Sequence, residues 1–219
     1  MTPKAKVLLV DDHPLVREWL AVLINQQADL QVCGETDSAP KALQMIGAVH
    51  PDIAIVDISM EGGSGLELIK NIKASYPKVM VIVLSMHDEM LYAERALRAG
   101  ARGYIMKRDA TKIVLQVIRS VLGGKLHLSD NMARMLAEKF VEGRPSAPGS
   151  VMEKLSDREL EVFQLLGRGY ATRQIAQELH VSVKTIQAFC ARIKEKLGLP
   201  SATELLREAV RWNDSQQEK

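Results

Sequence analysis

Short apolar runs recur at an even interval along the first half of the chain. Val7–Val10, Leu30–Gly34, Ile53–Val56, Val79–Leu84 and Gly103–Met106 begin 23 to 26 residues apart. Four of them are rich in Val, Ile and Leu without polar alternation, which suits strands buried on both faces. Leu30–Gly34 is the weaker one. Helical patterns lie between the runs. Pro14-Leu15-Val16 opens a helix with Leu20, Leu23 and Ile24 on one face, and Pro suits a first turn, where its missing N–H is not needed. Gly65–Ala74 and Glu89–Ala99 supply two more. After Lys107, Ile113, Val114, Val117, Ile118, Val121 and Leu122 form a stripe with a period of about 3.6 residues, stopped by Gly123-Gly124. Strand and helix alternating five times predict an α/β doubly wound, five-stranded parallel sheet over residues 1–124.

The pattern then changes. Residues 125–151 read as a linker with a helix at 129–141, where Met132, Met135, Leu136 and Phe140 recur at helical spacing. Gly143–Ser150 packs two Gly, two Pro and two Ser into eight residues, a flexible composition. Residues 152–219 are helical throughout and predict a small all-α domain. Ser156-Asp-Arg-Glu159 is a capping box, and Leu160, Val162, Phe163, Leu165 and Leu166 follow it. Gly167 and Gly169 stop that helix. Thr172 caps a short second helix carrying Ile175, Ala176 and Leu179, and His180-Val181 is a tight connection. Ser182 caps a third, with Ile186, Cys190, Ile193 and Leu197 on one face and Gly198 at its end. A fourth runs from Ala202 to Trp212.

Composition narrows the classes. The chain has 219 residues, 47% hydrophobic and 26% charged, enough for two cores. No run approaches the roughly 18 apolar residues of a membrane span, and the four apolar residues before Asp11 are too few for a signal-peptide core. Cys33 and Cys190 lie too far apart in sequence for a disulfide scaffold or zinc finger and read as small hydrophobes; a cytoplasmic location is expected. The net charge is +2, so only local charge can name a partner.

In a parallel sheet, ligands bind beyond the carboxyl ends of the strands. The runs are followed there by Asp11-Asp12, Asp57, Ser85 and Lys107. Three carboxylates packed together repel, and one or more protonates unless a cation neutralises them. An oxygen-only site suits Mg²⁺. One carboxylate can then act as a nucleophile and form an aspartyl phosphate, while the Lys and Ser bind phosphoryl oxygens. His13, beside the acid pair, reads as a surface histidine, since Mg²⁺ prefers oxygen.

The segments VLLVDDHPLVRE (7–18), PDIAIVDISMEGGSGLELI (51–69), VIVLSMHDE (81–89) and ARGYIMK (101–107) resemble the flavodoxin-like receiver domain of bacterial two-component response regulators. The resemblance implies that Asp57 accepts phosphate from a histidine kinase. It implies that Asp12, Asp57 and the backbone carbonyl of Ser59 hold Mg²⁺, with Asp11 acting through a bound water. Ser85 and Lys107 would grip the phosphoryl group, and Tyr104 would swing inward as Ser85 is drawn to it. Two positions depart from the commonest pattern. Glu61 stands where Pro often follows the Met, and Arg108 follows Lys107 where many receivers have Pro, so the last loop need not share their cis peptide.

In the second domain, residues 168–196 carry six basic residues (Arg168, Arg173, Lys184, Arg192, Lys194, Lys196) against Glu178 and Glu195. Concentrated positive charge is rewarded on a phosphate backbone by counterion release. A short helix, a tight connection and a longer helix fit helix-turn-helix. Opposite the apolar face of the longer helix lie Lys184, Gln187, Ala188, Ala191, Arg192 and Glu195. Gln187 suits adenine; Lys184, Thr185 and Arg192 suit phosphate or guanine; the N-termini at Thr172 and Ser182 offer N–H groups to phosphate. Residues 155–198 resemble the LuxR-type DNA-binding domain, most strongly at Leu155-Ser-x-Arg-Glu, Ile175-Ala, Val181-Ser-x-Lys-Thr and Ile193…Lys196-Leu-Gly. Many members place Lys, Asn and His where this chain has Gln187, Ala188 and Phe189.

The combination implies a response regulator of the NarL/FixJ type that binds promoter DNA when phosphorylated. Its expected partners are a sensor histidine kinase, double-stranded DNA, a second copy of the chain and RNA polymerase. It is expected to be no dedicated enzyme beyond slow self-dephosphorylation. The alternatives are a phosphate-independent DNA binder with a degenerate receiver, against which the intact acid–Ser–Lys set argues, and an aspartyl-phosphate hydrolase of the dehalogenase-like class. The latter needs a second Asp two residues after the nucleophile, where this chain has Ser59. No phosphate-binding G-x-x-x-x-G-K-[ST] run occurs.

Overall fold

The structure is a computed structural model and describes residues 3–60, 63–87, 89–141 and 154–217. It divides into two compact units, 1–138 and 139–219. The Gly143–Ser150 segment expected to be a linker lies outside the described residues.

The first unit alternates strands and helices: β1 (Ala5–Val10), α1 (Pro14–Asn25), β2 (Leu30–Thr36), α2 (Ala39–Val49), β3 (Ile53–Val56), α3 (Gly65–Ser75), β4 (Met80–Ser85), α4 (Glu89–Ala99), β5 (Gly103–Met106), a 3₁₀ turn (Lys107–Asp109), α5 (Ala110–Leu122) and α6 (Asp130–Val141). A two-residue antiparallel ribbon, Ser59–Met60 with Gly63–Ser64, sits between β3 and α3. The five main strands are parallel in the order β2-β1-β3-β4-β5. This doubly wound order puts its switch point between β1 and β3.

Side chains alternate across each strand. Val7, Leu9, Ile53, Ile55, Ile82, Leu84 and Ile105 pack in one cluster with Leu20 and Ile24 of α1 and Val114, Val117, Ile118 and Val121 of α5. Their neighbours Leu8, Val10, Ala54, Val56, Ile58 and Val83 are buried too, which requires the cover that α2, α3 and α4 give the other face. The central strands therefore read as unbroken apolar runs. The edge strand β2 is only partly buried along most of its length, which is why its run reads weakly. The other edge is covered: the Tyr104 N–H donates to the His127 carbonyl at 3.2 Å, and the His127 N–H to the Arg102 carbonyl at 2.9 Å.

Several expected bounds shift by a residue or two. β1 starts at Ala5, β2 extends to Thr36, and β4 runs one residue later than the Val79–Leu84 run. Helix α2 was not marked by any apolar run. It mixes small residues with Lys41, Leu43, Gln44, Met45 and Ile46, only Ala42 and Ile46 are fully buried, and Gly47 lies against the Tyr76 ring. Among the described residues no peptide is cis, so the Lys107–Arg108 bond is trans.

The second unit holds α7 (Asp157–Gly167), α8 (Thr172–Glu178), α9 (Val183–Leu197) and α10 (Ala202–Gln217). Its core centres on Leu160, Phe163, Ile175, Ile186, Ile193, Leu205 and Ala209, all nearly inaccessible. The Trp212 ring meets Phe163 edge-on at 5.8 Å. Three expectations need correction. The N-cap of α8 is Ala171, not Thr172, which is the first helical residue; Gln174 supplies the capping group by accepting from the Ala171 N–H at 2.8 Å. Gly167 does not stop α7 but is its last residue; a Cβ there would lie 2.5 Å from the Ala209 carbonyl, so it lets α10 approach closely. Cys33 and Cys190 are half-buried rather than core, and burial pushes both thiols up. The helix ends at Gly198 as expected, and the structure places that residue in αL with φ +68°.

Candidate functional site

The acidic pocket is built by the sheet. The Asp57 N–H continues the ladder by donating to the Val10 carbonyl at 2.8 Å, and the Asp11 N–H donates to Thr36 at 3.1 Å. The ends of β1 and β3 are thereby fixed side by side, with Asp11 and Asp57 almost fully buried between them. One ligand atom from each of Asp11, Asp12, His13 and Asp57 lies within 4.8 Å of the others. Lys107, from the end of β5, reaches across: its Nζ is 2.8 Å from Asp11 Oδ2 and 2.7 Å from Asp57 Oδ2. Burial pushes the Asp57 carboxyl above its ordinary range; Lys107 opposes this and Asp11 adds to it. Burial disfavours the Lys107 ammonium, but the Asp57 and Asp11 carboxylates outweigh it and hold that group above its usual value.

His13 is exposed, as the sequence suggested, yet it is not idle. Its Nδ1 lies 2.7 Å from Asp12 and 3.1 Å from Asp11. Asp57 also accepts the Ser59 N–H at 3.1 Å, which orients the following loop.

Ser85 is fully buried at the end of β4, and its hydroxyl accepts the His87 N–H at 3.1 Å. Tyr104 is turned inward, 2% exposed, with its hydroxyl donating to the His87 carbonyl at 3.0 Å. His87 is the residue that sequence reasoning missed. Its Nε2 is 2.5 Å from the Ser59 hydroxyl, and its ring stacks on Tyr92 at 4.4 Å. It thus ties the loop after Asp57 to the loop after Ser85. Nothing local in Ser85-Met-His-Asp signals this, because the Ser59 hydroxyl and the Tyr92 ring come from other elements.

The second unit presents a helix-turn-helix, α8 and α9. Ser182 caps α9 by accepting the Thr185 N–H at 3.0 Å, and the two hydroxyls are 2.8 Å apart. Lys184, Gln187, Ala188, Ala191, Arg192 and Glu195 are all exposed, while Ile186 and Ile193 are buried on the opposite face. The Arg192 guanidinium sits 5.9 Å from the centre of the Phe189 ring. Thr172 is half-buried in the first turn of α8. Lys196 is diverted from the basic set: its Nζ lies 2.6 Å from Glu159, which also accepts the Ser156 N–H at 2.7 Å. The capping box of α7 and an ion pair to α9 thus share one carboxylate. Burial raises the Glu159 carboxyl, but Lys196 and Ser156 more than offset this and hold it below its usual value.

A group held down in the fold stabilises above its unfolded pKa and loses that stabilisation as pH falls through the folded value. Glu159→Gln in a Trp19→Phe background, melted by Trp212 fluorescence, is expected to cost the second unit about 1–2 kcal/mol at neutral pH. Its loss of stability below pH about 4.5 should also be shallower than in the chain with Glu159. Parallel acid profiles would show that the pair contributes nothing.

Sequence comparison agrees with both halves. Residues 7–119 match the family described as response regulator receiver domain, and residues 153–209 match bacterial regulatory proteins, luxR family. The chain is 34% identical over 210 residues to the oxygen regulatory protein NreC of Staphylococcus carnosus, covering 94% of this chain and 97% of that one. Among solved structures, a LuxR-family two-component response regulator from an Aurantimonas species is 31% identical, covers 64% of this chain and 99% of its own, and superposes with a TM-score of 0.59. RcsB from Salmonella enterica serovar Typhimurium, solved bound to the promoter rprA in the presence of the phosphomimetic BeF₃⁻, is 26% identical, with 94% and 98% coverage and a TM-score of 0.60. With both family matches, near-complete coverage by its relatives and the site geometry in agreement, the chain belongs to the NarL/FixJ-type response regulators, in which a receiver is joined to a LuxR-type DNA-binding domain.

Proposed function

We propose that Asp57 is the phosphoacceptor of this phosphorylation-dependent, DNA-binding transcription regulator, and that α9 carries its promoter contacts. The observation that carries the reading is the Lys107 ammonium held against both Asp11 and Asp57 at the carboxyl rim of the sheet. One Asp57 oxygen attacks the phosphorus of a kinase phosphohistidine; the P–N bond breaks and the imidazole keeps the electron pair. Lys107 pairs with the arriving phosphoryl oxygens. Ser85 takes a second one, which draws its loop inward and reorganises the His87 and Tyr104 contacts around it.

The donor set fits Mg²⁺: the hard carboxylates of Asp11, Asp12 and Asp57 are clustered, and the Ser59 N–H bond to Asp57 places that backbone beside them. Asp12, Asp57 and the Ser59 carbonyl would hold the ion, and Asp11 would act through water. Bound there, it supplies charge neutralisation between the carboxylates and an incoming phosphoryl group. The aspartyl phosphate hydrolyses slowly in the same pocket, so the chain is a switch rather than a dedicated enzyme.

Movement at Ser85 and Tyr104 biases the surface of α4, β5 and α5, a bistable element. Two phosphorylated chains then pair, so that two α9 helices meet half-sites about one helical turn apart. Lys184, Thr185 and Arg192 contact the backbone or guanine, and Gln187 and Ala188 face the bases. The partners are a histidine kinase and double-stranded promoter DNA, with RNA polymerase recruited beside them, in the cytoplasm. No described helix is long and apolar enough to cross a membrane.

Light scattering and DNA titration with and without beryllofluoride plus Mg²⁺ test this. Monomer becoming dimer, with at least tenfold tighter promoter binding, is the expected result. Unchanged mass with tighter binding would replace pairing by intramolecular release of the second domain. No change in either would favour a receiver that ignores phosphate.

A further inference from the structure

The exposed face of α9 is unusual in what lies at its centre. At 3.6 residues per turn, Gln187, Ala191, Lys184, Glu195, Ala188 and Arg192 follow one another around a single arc. Lys184 and Glu195 lie at its middle but about three turns apart along the axis. Between them the arc is formed by Ala188 and Ala191, three residues apart and both exposed. The mid-helix surface is therefore two methyl groups, with Gln187 on one flank and Arg192 on the other.

Two alanines cannot hydrogen-bond a base edge, but they let the helix backbone approach the groove floor closely. The one apolar group there is the C5-methyl of thymine. Gln187, beside Ala188 in sequence and one turn before Ala191, suits a bidentate bond to adenine N6 and N7. The Arg192 guanidinium lies on the far flank of the arc, 5.9 Å from the centre of the Phe189 ring. We propose that the chain reads a half-site whose core is consecutive A·T pairs, with Ala188 and Ala191 packed on thymine methyls, Gln187 on adenine and Arg192 on the flank. This rests on the assignment of α9 as the promoter-reading helix.

The experiment starts from selection of the full chain, with beryllofluoride and Mg²⁺, on a random duplex library. Each thymine of the enriched site is then replaced singly by deoxyuridine, which removes the methyl group and nothing else. An A·T-rich core is expected, with about three- to fivefold weaker binding per contacted thymine. Gln187→Ala should lose the adenine preference at one position. Ala188→Gly should abolish the deoxyuridine effect at its own thymine while the other persists. A G·C core, or an A·T core indifferent to every deoxyuridine, would overturn the proposal while leaving α9 as the reader. No enriched site at all, with affinity independent of sequence, would instead sink the assignment of α9 on which it rests. The deoxyuridine result stands whether or not the variants fold.

Discussion

Asp57→Asn should show no labelling by acetyl phosphate in Mg²⁺, by mass or by radiolabel, where the native chain gains one phosphoryl group. The substitution is nearly isosteric in a pocket where Asp57 is 2% exposed, so the sheet has no reason to rearrange. What disappears is the proposed nucleophile, since a neutral amide has no carboxylate oxygen to give. Lys107 keeps one of its two carboxylate partners, Asp11, and one of the mutually repelling acids is removed. The thermal midpoint should therefore change little, and the beryllofluoride response should vanish together with labelling. Labelling that persists at full stoichiometry would move the nucleophile to Asp11 or Asp12. A collapsed melt would mean that Asp57 is chiefly structural.

Gly65→Ala should damage the same pocket from a residue with no chemistry of its own. A Cβ at Gly65 would lie 2.0 Å from the Asp57 carbonyl oxygen and 2.7 Å from the Ile58 Cα. Both are backbone atoms, so no side chain can swing away. The Gly65 N–H also donates to the Ile58 carbonyl at 3.0 Å, which locks the start of α3 onto the strand end that carries Asp57, the proposed phosphoacceptor. Relief requires α3 or the Asp57 loop to move by about an ångström. The expected cost is about 3 kcal/mol, the upper end for overpacking, or roughly ten degrees in the melting midpoint. Displacement of Asp57 by that amount should slow labelling about 100-fold. Gly103→Ala is the matched control, because its Cβ would meet neighbours at an ordinary 3.4–3.5 Å. A Gly65→Ala chain that melts and labels like the native one would show that the loop has slack the geometry does not reveal.

The two glycines illustrate what a sequence withholds. Gly167 reads as a helix stop, and Gly65 only as the first residue of a helical pattern. In the fold each is a place where one backbone lies against another, Asp57 against Gly65 and Ala209 against Gly167. Close approach depends on a partner distant in sequence, and a glycine does not announce its partner. His87 is similar: its contacts to the Ser59 and Tyr104 hydroxyls come from elements distant in sequence. The inward pose of Tyr104 is likewise a tertiary fact.

The sequence alone determined the features set by local periodicity and by order along the chain. Apolar runs at a regular interval dictate parallel strands linked by helices, because buried strands must be apolar on both faces and parallel neighbours need a crossover. The rim position of Asp11, Asp12, Asp57, Ser85 and Lys107 follows from their place after those runs. Ser156 with Glu159, and Ser182 before α9, announce helix starts because capping is a four-residue interaction. Tertiary structure alone decided the rest. It set which carboxylates Lys107 bridges, diverted Lys196 from the basic face to Glu159, and laid the Gly167 backbone against that of Ala209. Each of these depends on distances between residues far apart in the chain, and local propensity carries no information about such distances.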